Sequence, residues 1–438
     1  MKPTRMLRSR STHGFRIMKN WKRVETASGI STNKLLAYWL LGISLATISY
    51  IHERQTDFLI GILILLSFPN LIKSLIYLNK SELKYYIALI ILALWSILPL
   101  SFNIEGQIIA GLYFLRAICI YLAIRFWISN HLEFYYFIKI CITSVSLIVV
   151  IGLIELLLYL TFSYNPTTFY HSSYGLRFVG FSNNPNYFAH WLVILLGINI
   201  GYYLLPNNIF LNSKKFLLIS LMLLSIGCLL TLSRGAWISM ILMYLIVASR
   251  PIYEIIRFIK IKNRSVITTI LVSTIVLSSV TYIAANPSSL ERFFELIHGS
   301  GANRYEIWSI SFDTYKNLPL QLQLFGVGGH QHPYYTFLDH YPHNNYILFL
   351  IEYGFLGLSF FLLCLLSIIT YYFNSNPKES NLLLIYGFIG TLVFALSNDT
   401  FFTVHFWTLI ALIFHSAAIR RKREAVPRIS VHPERLSG

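Results

Sequence analysis

Charge is what this chain has least of: Asp, Glu, Lys and Arg make up 12% of its 438 residues, where soluble globular domains carry about 25%. With 55% hydrophobic residues and a mean hydropathy of +0.60, it falls outside that class and reads as a polytopic membrane protein. Strand-like alternation is missing as well. The apolar runs are unbroken over about 17 to 25 residues, long enough to cross ~30 Å as helices, whereas a membrane barrel alternates in segments of about ten. Helices are therefore expected throughout. Cysteine is scarce: Cys119, Cys141, Cys228 and Cys364 all lie inside apolar runs, where a thiol acts as a small hydrophobe with no exposed partner, so no disulfide is expected. There is no Asp-x-Asp pair, which argues against a nucleotide-sugar enzyme that holds a divalent metal on its donor diphosphate. No internal repeat, low-complexity tract or separable soluble domain is visible. The first 34 residues are basic and polar, too long and too charged ahead of the first apolar run for a cleaved signal peptide.

What is present is hydropathy in blocks. Twelve spans are predicted, at 35–51, 58–78, 85–101, 108–128, 135–161, 186–205, 216–232, 235–249, 265–285, 344–373, 382–398 and 401–419. With the N-terminus inside, 25 of the 35 Lys and Arg residues fall in cytoplasmic segments. Six fall outside (Arg54, Arg177, Arg234, Arg292, Arg304 and Lys316) and four within helices. The positive-inside rule thus places both termini in the cytoplasm. The net charge of +17, which could suggest nucleic acid, is then mostly topological and lies against anionic headgroups, so membrane lipids and no nucleic acid are expected as partners. The organisation expected is a basic tail (1–34), nine spans (35–285), a long external loop with short helices (286–343), three more spans (344–419) and a second basic tail (420–438).

Three of the outward arginines sit where a helix begins. Arg177 lies in GLRFVGFSNNPNYFAHW, in which Asn184 followed by Pro185 reads as an N-cap with proline in the first turn. Arg234 lies in TLSRGAWI, a turn of two or three residues with Ser233 as the expected cap. Arg304 lies in GANRYEIWSISFDTYKNLP, where helical spacing puts Trp308 one turn away on the same face. Outward-pointing helix N-termini combined with guanidinium groups make an anion site, and guanidinium forks suit phosphate. Read singly, each arginine could equally be an interfacial anchor.

At the mouth of the tenth span stands YPHNNYILFLI. His343 faces outward with those arginines, and an imidazole with a pKa near 6.5 can accept a proton from a hydroxyl nucleophile. The structural alternative is a histidine that caps the helix, next to Asn344. Glu352 lies nine residues on, about 180° around the helix, and so cannot orient His343 from the same face. Arg116, Glu155 and Glu352 share a depth of roughly 9 to 12 Å below the outer helix ends, which suggests that Arg116 pairs with one or both carboxylates, as a brace or in support of the outer site. The stretch HQH with Asp339, His340 and His343 is a conceivable zinc cluster, but it matches no fixed ligand spacing and no metal is assigned.

With RFVGFSNNPNYFA, LSRGAW, NRYEIW followed by LFGVGG, and PHNNYILFLIEYGFLG in that order, the chain resembles the O-antigen ligase and polymerase family over about residues 174 to 357. These are integral-membrane glycosyltransferases of bacterial surface polysaccharide assembly. The resemblance implies a GT-C-like, all-α membrane fold of about twelve helices with one long periplasmic loop between the ninth and tenth, in the bacterial inner membrane. It implies a glycan on undecaprenyl diphosphate, transferred at the periplasmic side to an acceptor hydroxyl with inversion, without metal or other cofactor. Arg234 and Arg304 match the arginines that hold the donor diphosphate, His343 matches the histidine that activates the acceptor, and Arg177 falls in the family's first motif. Ser233, Asn344, Trp308, Arg116 and Glu352 are expected in support. The acceptor expected first is the lipid A core, which makes the protein a ligase; a second lipid-linked repeat would make it a polymerase. Transfer to a pilin or other protein, a lipid-linked glycan transporter and a purely structural membrane subunit are the remaining alternatives.

Overall fold

The computed structural model describes residues 30–47, 80–97, 103–172, 175–182, 184–204, 214–255, 304–375 and 383–424. The spans predicted at 58–78 and 265–285, the first part of the external loop and most of both basic tails lie outside these residues. A helix covers most of each of the other ten predicted spans.

In chain order the elements are α1 (Thr32–Thr47), α2 (Lys80–Ile97), α3 (Ile104–Trp127), α4 (His131–Phe162), β1 (Phe169–Ser172), β2 (Gly175–Phe178), α5 (Pro185–Leu204), α6 (Lys214–Leu230) and α7 (Arg234–Ile255). After the gap come α8 (Arg304–Asn317), α9 (Leu320–Phe325), α10 (His332–Thr336), α11 (Asn345–Ser375), α12 (Ile385–Phe394) and α13 (Val404–Glu424). The molecule is thus mostly helical. Helices α3, α4, α5 and α11 are long and apolar enough to cross a bilayer, and shorter apolar helices accompany them. Lone amides fix two starts: Asn103 Oδ1 accepts from Gly106 N and Asn130 Oδ1 from Glu133 N, each at 2.9 Å, so donors at the N-terminal ends of α3 and α4 are satisfied. Ile104, Ile108, Leu112 and Leu115 on α3, and Leu147, Ile151, Ile154 and Leu158 on α4, are exposed at one-turn spacing. Such apolar stripes on the outside are the faces a membrane protein turns to lipid.

The centre of the bundle is α5, whose residues from Phe188 to Tyr202 are all buried. It packs chiefly against α6 and α12. A Cβ on Gly197 would stand 2.3 Å from Gly387 N, and one on Gly201 would stand 2.3 Å from Leu383 O. The crossing of α5 with the α12 region is therefore a backbone-to-backbone contact that only glycine permits, the usual way for helices to associate when burial from water no longer drives them together. The two-stranded hairpin β1–β2 pairs Tyr170 with Arg177 and Phe169 with Phe178. Phe178 fills the space left by Gly152 on α4 and meets Phe188 edge-on. Glu155 on α4 pins the hairpin's start, accepting from Thr168 N (2.8 Å) and from the hydroxyls of Thr167 and Thr168 (both 2.6 Å).

One predicted continuous helix is broken. Within α11, Gly354 leaves helical geometry at φ 68° and ψ 179°. The loop 326–328 docks into the break: Val327 N donates to Ile351 O (3.0 Å) and Gly328 N to Glu352 O (2.9 Å). Carbonyls that the interruption would strand inside the bundle are thus satisfied by the loop, the condition under which irregular backbone survives at such depth.

Candidate active site

Helices α5, α7, α8 and α11 all begin at or beside the residues singled out in the sequence. At the start of α11, Asn344 Oδ1 accepts from Tyr346 N (3.0 Å) and Ile347 N (3.2 Å). Asn344 is therefore the cap, and His343 is not needed for it. Asn345 does a different job: its Nδ2 donates to Asn398 O (2.8 Å) and Thr400 Oγ1 (2.7 Å), while its N–H donates to Ala395 O (3.0 Å). These bonds tie the turn between α12 and α13 to the mouth of α11 and bring Asp399 beside His343. Oδ2 of Asp399 stands 2.9 Å from His343 Nδ1. His343 adopts a left-handed backbone at φ 48°, a strained conformation for a non-glycine residue and one that clusters at functional positions. Its side chain is 44% exposed, so the ring is held on one edge and open to solvent elsewhere.

Asp399 was not among the residues marked from the sequence. The available signal was modest: a lone carboxylate in the two-residue gap between the last two predicted spans, on the same side as His343.

The arginine-bearing turns reach the same place by separate contacts. Arg234 is the first residue of α7 and is buried. A Cβ on the adjoining Gly235 would lie 2.1 Å from Ser397 Oγ and 2.7 Å from Asn398 Nδ2, so this turn packs directly on the segment that carries Asp399. Arg304 opens α8, and Trp308 one turn on donates from Nε1 to Pro342 O at 2.6 Å, anchoring α8 to the residue before His343. Arg177 on β2 donates from Nε to Thr231 O (3.1 Å) and from its terminal nitrogen to Asn186 Oδ1 (3.3 Å), linking the hairpin, the α6–α7 turn and the start of α5. In that turn Leu232 is left-handed at φ 54°. The structure thus gathers Arg177, Arg234, Trp308, Asn344 and His343 at one end of the bundle, with Arg304 at the head of the tethered helix.

Two supporting expectations need correction. Ser233 holds the N-cap position, and its carbonyl accepts from Trp237 N (3.1 Å), but its hydroxyl does not cap: Oγ is buried with no hydrogen-bond partner among the described residues. Arg116, Glu155 and Glu352 do not come together as one ionic cluster. Arg116 donates to Phe402 O and lies over the Tyr113 ring at 4.7 Å, so it braces the chain just after Asp399. Glu155 is occupied at the hairpin. Glu352, buried, accepts from His332 N at 3.4 Å and holds the segment that precedes His343. Equal depth along different helices had suggested a pairing, but the three side chains take separate partners.

The histidines of HQH are also engaged. His332 Nε2 meets Ser311 Oγ at 2.9 Å, joining α10 to α8, and His330 Nδ1 meets Tyr341 Oη at 2.6 Å. Burial lowers the pKa of both, His332 to about 4 despite the opposing pull of Asp399. Burial also raises the Tyr341 phenol above its ordinary range, with Glu352 and Asp399 adding to the effect.

Fold and site together define a helical membrane protein with a carboxylate-held histidine and buried arginines at one end of its bundle. Residues 219–362 match the family model described as O-antigen ligase, which supports the resemblance read from the sequence motifs. The match spans Arg234, Arg304, Trp308, His343 and Glu352 and stops short of Arg177, Arg116 and Asp399. The match points to glycosyl transfer as the general activity. No curated protein matches the chain.

Proposed function

We propose that this protein is an inverting, metal-independent glycosyltransferase that moves an oligosaccharide from undecaprenyl diphosphate to a sugar hydroxyl of the lipid A core, at the periplasmic face of the bacterial inner membrane. The observation that carries the reading is the 2.9 Å contact between His343 Nδ1 and Asp399 Oδ2, beside the turn that begins with Arg234. The carboxylate accepts Nδ1–H, which fixes the tautomer and leaves Nε2 as the basic nitrogen. Nε2 takes the proton of the acceptor hydroxyl while that oxygen bonds to the anomeric carbon. On the opposite face the bond from that carbon to the diphosphate oxygen breaks, so the configuration inverts. The departing diphosphate gains negative charge, which Arg234 and Arg304, with Arg177 behind them, stabilise through fixed guanidinium donors. These groups do what a divalent cation does elsewhere, in keeping with the missing Asp-x-Asp pair. In this reading the polar end is periplasmic, twelve spans cross the membrane and both termini are cytoplasmic, the orientation that the distribution of Lys and Arg supports.

The test is transfer by the purified protein in vesicles, given a lipid-diphosphate-linked oligosaccharide and either rough lipopolysaccharide or a second lipid-linked repeat. Glycan appearing on rough lipopolysaccharide is the expected result. Chain growth without lipid A core replaces the ligase reading with a polymerase, and no product with either acceptor removes both.

A further inference from the structure

Between the first turn of α3 and the segment 330–341 lies a cavity of about 300 Å³, lined by Asn103, Glu105, Gly106, His330, Tyr334 and Tyr341 among others. Its walls are fixed by hydrogen bonds. Gln331 Nε2 donates to Asn103 O (2.8 Å) while its Oε1 accepts from Asn103 N (3.3 Å), and His330 is bonded to Tyr341. Gly106 lets the two walls close: a Cβ there would stand 2.9 Å from His330 Cβ. Beneath the segment, Glu352 accepts from His332 N. Against this fixed frame, Glu105 and Tyr334 remain exposed.

The chain links the cavity to the proposed reaction centre: the lining residue Tyr341 precedes His343 by two residues, and Pro342 between them is anchored by Trp308. Its charge sets it apart from the arginine side. Glu105 is the one acidic residue among the lining residues, which include neither Lys nor Arg, and burial lowers the pKa of His330. A diphosphate would be repelled here. An uncharged sugar ring fits: its C–H face can lie on a tyrosine ring, and its hydroxyls can donate to a carboxylate and to amide oxygens.

We propose that this cavity is the acceptor-sugar subsite, with Glu105 and Tyr334 as specificity-determining contacts for a neutral sugar ring whose neighbouring hydroxyl is presented to His343. The inference rests on the transferase reading above. It is tested with the full chain in vesicles, using whichever acceptor the wild type accepts, rough lipopolysaccharide or a second lipid-linked repeat. Tyr334→Ala and Glu105→Gln should each raise the acceptor KM about tenfold, with donor KM and the rate at saturating acceptor unchanged. Both side chains are exposed, so neither change removes core packing. An unaltered acceptor KM in both variants, or a rise in donor KM instead, overturns the subsite while leaving the transferase reading in place. A wild-type chain inert toward both acceptors overturns the transferase reading and the subsite with it.

Discussion

Among single residues, the His343–Asp399 pair carries the proposed proton transfer. In Asp399→Asn the new amide can donate to Nδ1 and hold the wrong tautomer, so kcat for transfer should fall ~10²–10⁴-fold while donor KM stays near wild type. Because the two side chains act as one unit, the double variant His343→Ala/Asp399→Ala should be no slower than His343→Ala alone. Additive losses in a steady-state comparison would mean that they act separately. Arg304→Lys keeps the charge but loses the bidentate fork, so turnover should drop sharply, and unchanged turnover would contradict a diphosphate clamp. That Arg234, Arg304 and His343 stand at or near helix starts was legible in the sequence, whereas Arg177 lies on the strand β2. Asp399 was not legible, since 56 residues separate it from His343 and only the amide contacts of Asn345 bring the two together. The two asparagines after His343 were visible as unusual polar residues at the mouth of an apolar helix, but their division into a cap and a tether belongs to the tertiary structure.

Among the elements, the broken helix α11 and the loop docked in it decide how the segment ahead of His343 is held. The hydropathy of 344–373 reads as one span because an isolated glycine inside an apolar run leaves no mark on it. The pairing that explains the break is long-range: Gly354 faces Gly326 and Leu324, and a Cβ on Gly354 would lie 2.4 Å from Gly326 N and from Leu324 O. Gly354→Ala would combine an unfavourable left-handed residue, about 1–2 kcal/mol, with a clash against backbone that cannot swing aside. A lowered thermal midpoint of the vesicle-embedded protein is expected, and an unchanged midpoint would contradict the docking. The contact of α10 with α8 carries a pH dependence. His332 is fully buried, and burial lowers its pKa to about 4, below its unfolded value near 6.5. Between these values the unfolded chain binds a proton that the folded one refuses, so the stabilisation is complete above pH ~6.5 and is lost as the pH falls toward about 4. Hydrogen exchange of residues 330–343 should accelerate over that window, and His332→Gln should flatten the dependence. Equal exchange at pH 7 and pH 4.5 in the wild type would contradict it.

For the whole molecule, composition and hydropathy were enough to read a helical membrane protein, because unbroken apolar runs leave no other arrangement that satisfies the backbone in lipid. Side-chain pairing across helices was not legible in the sequence, since Arg116 meets Phe402 O and Glu352 meets His332 N instead of each other. The proposed orientation makes a topological prediction. A cysteine at Asp339 should react with a membrane-impermeant maleimide added to intact spheroplasts, and one at Lys215 should react only after the membrane is opened. The reverse pattern would turn the site toward the cytoplasm. A single inverting displacement with His343 as base is tested by the anomeric configuration of the product. NMR of glycan transferred from a donor of known anomeric configuration should show the opposite configuration at the new linkage, with no product from a His343→Ala variant that still binds donor. Retained configuration, or turnover by His343→Ala at the wild-type rate, would contradict the account.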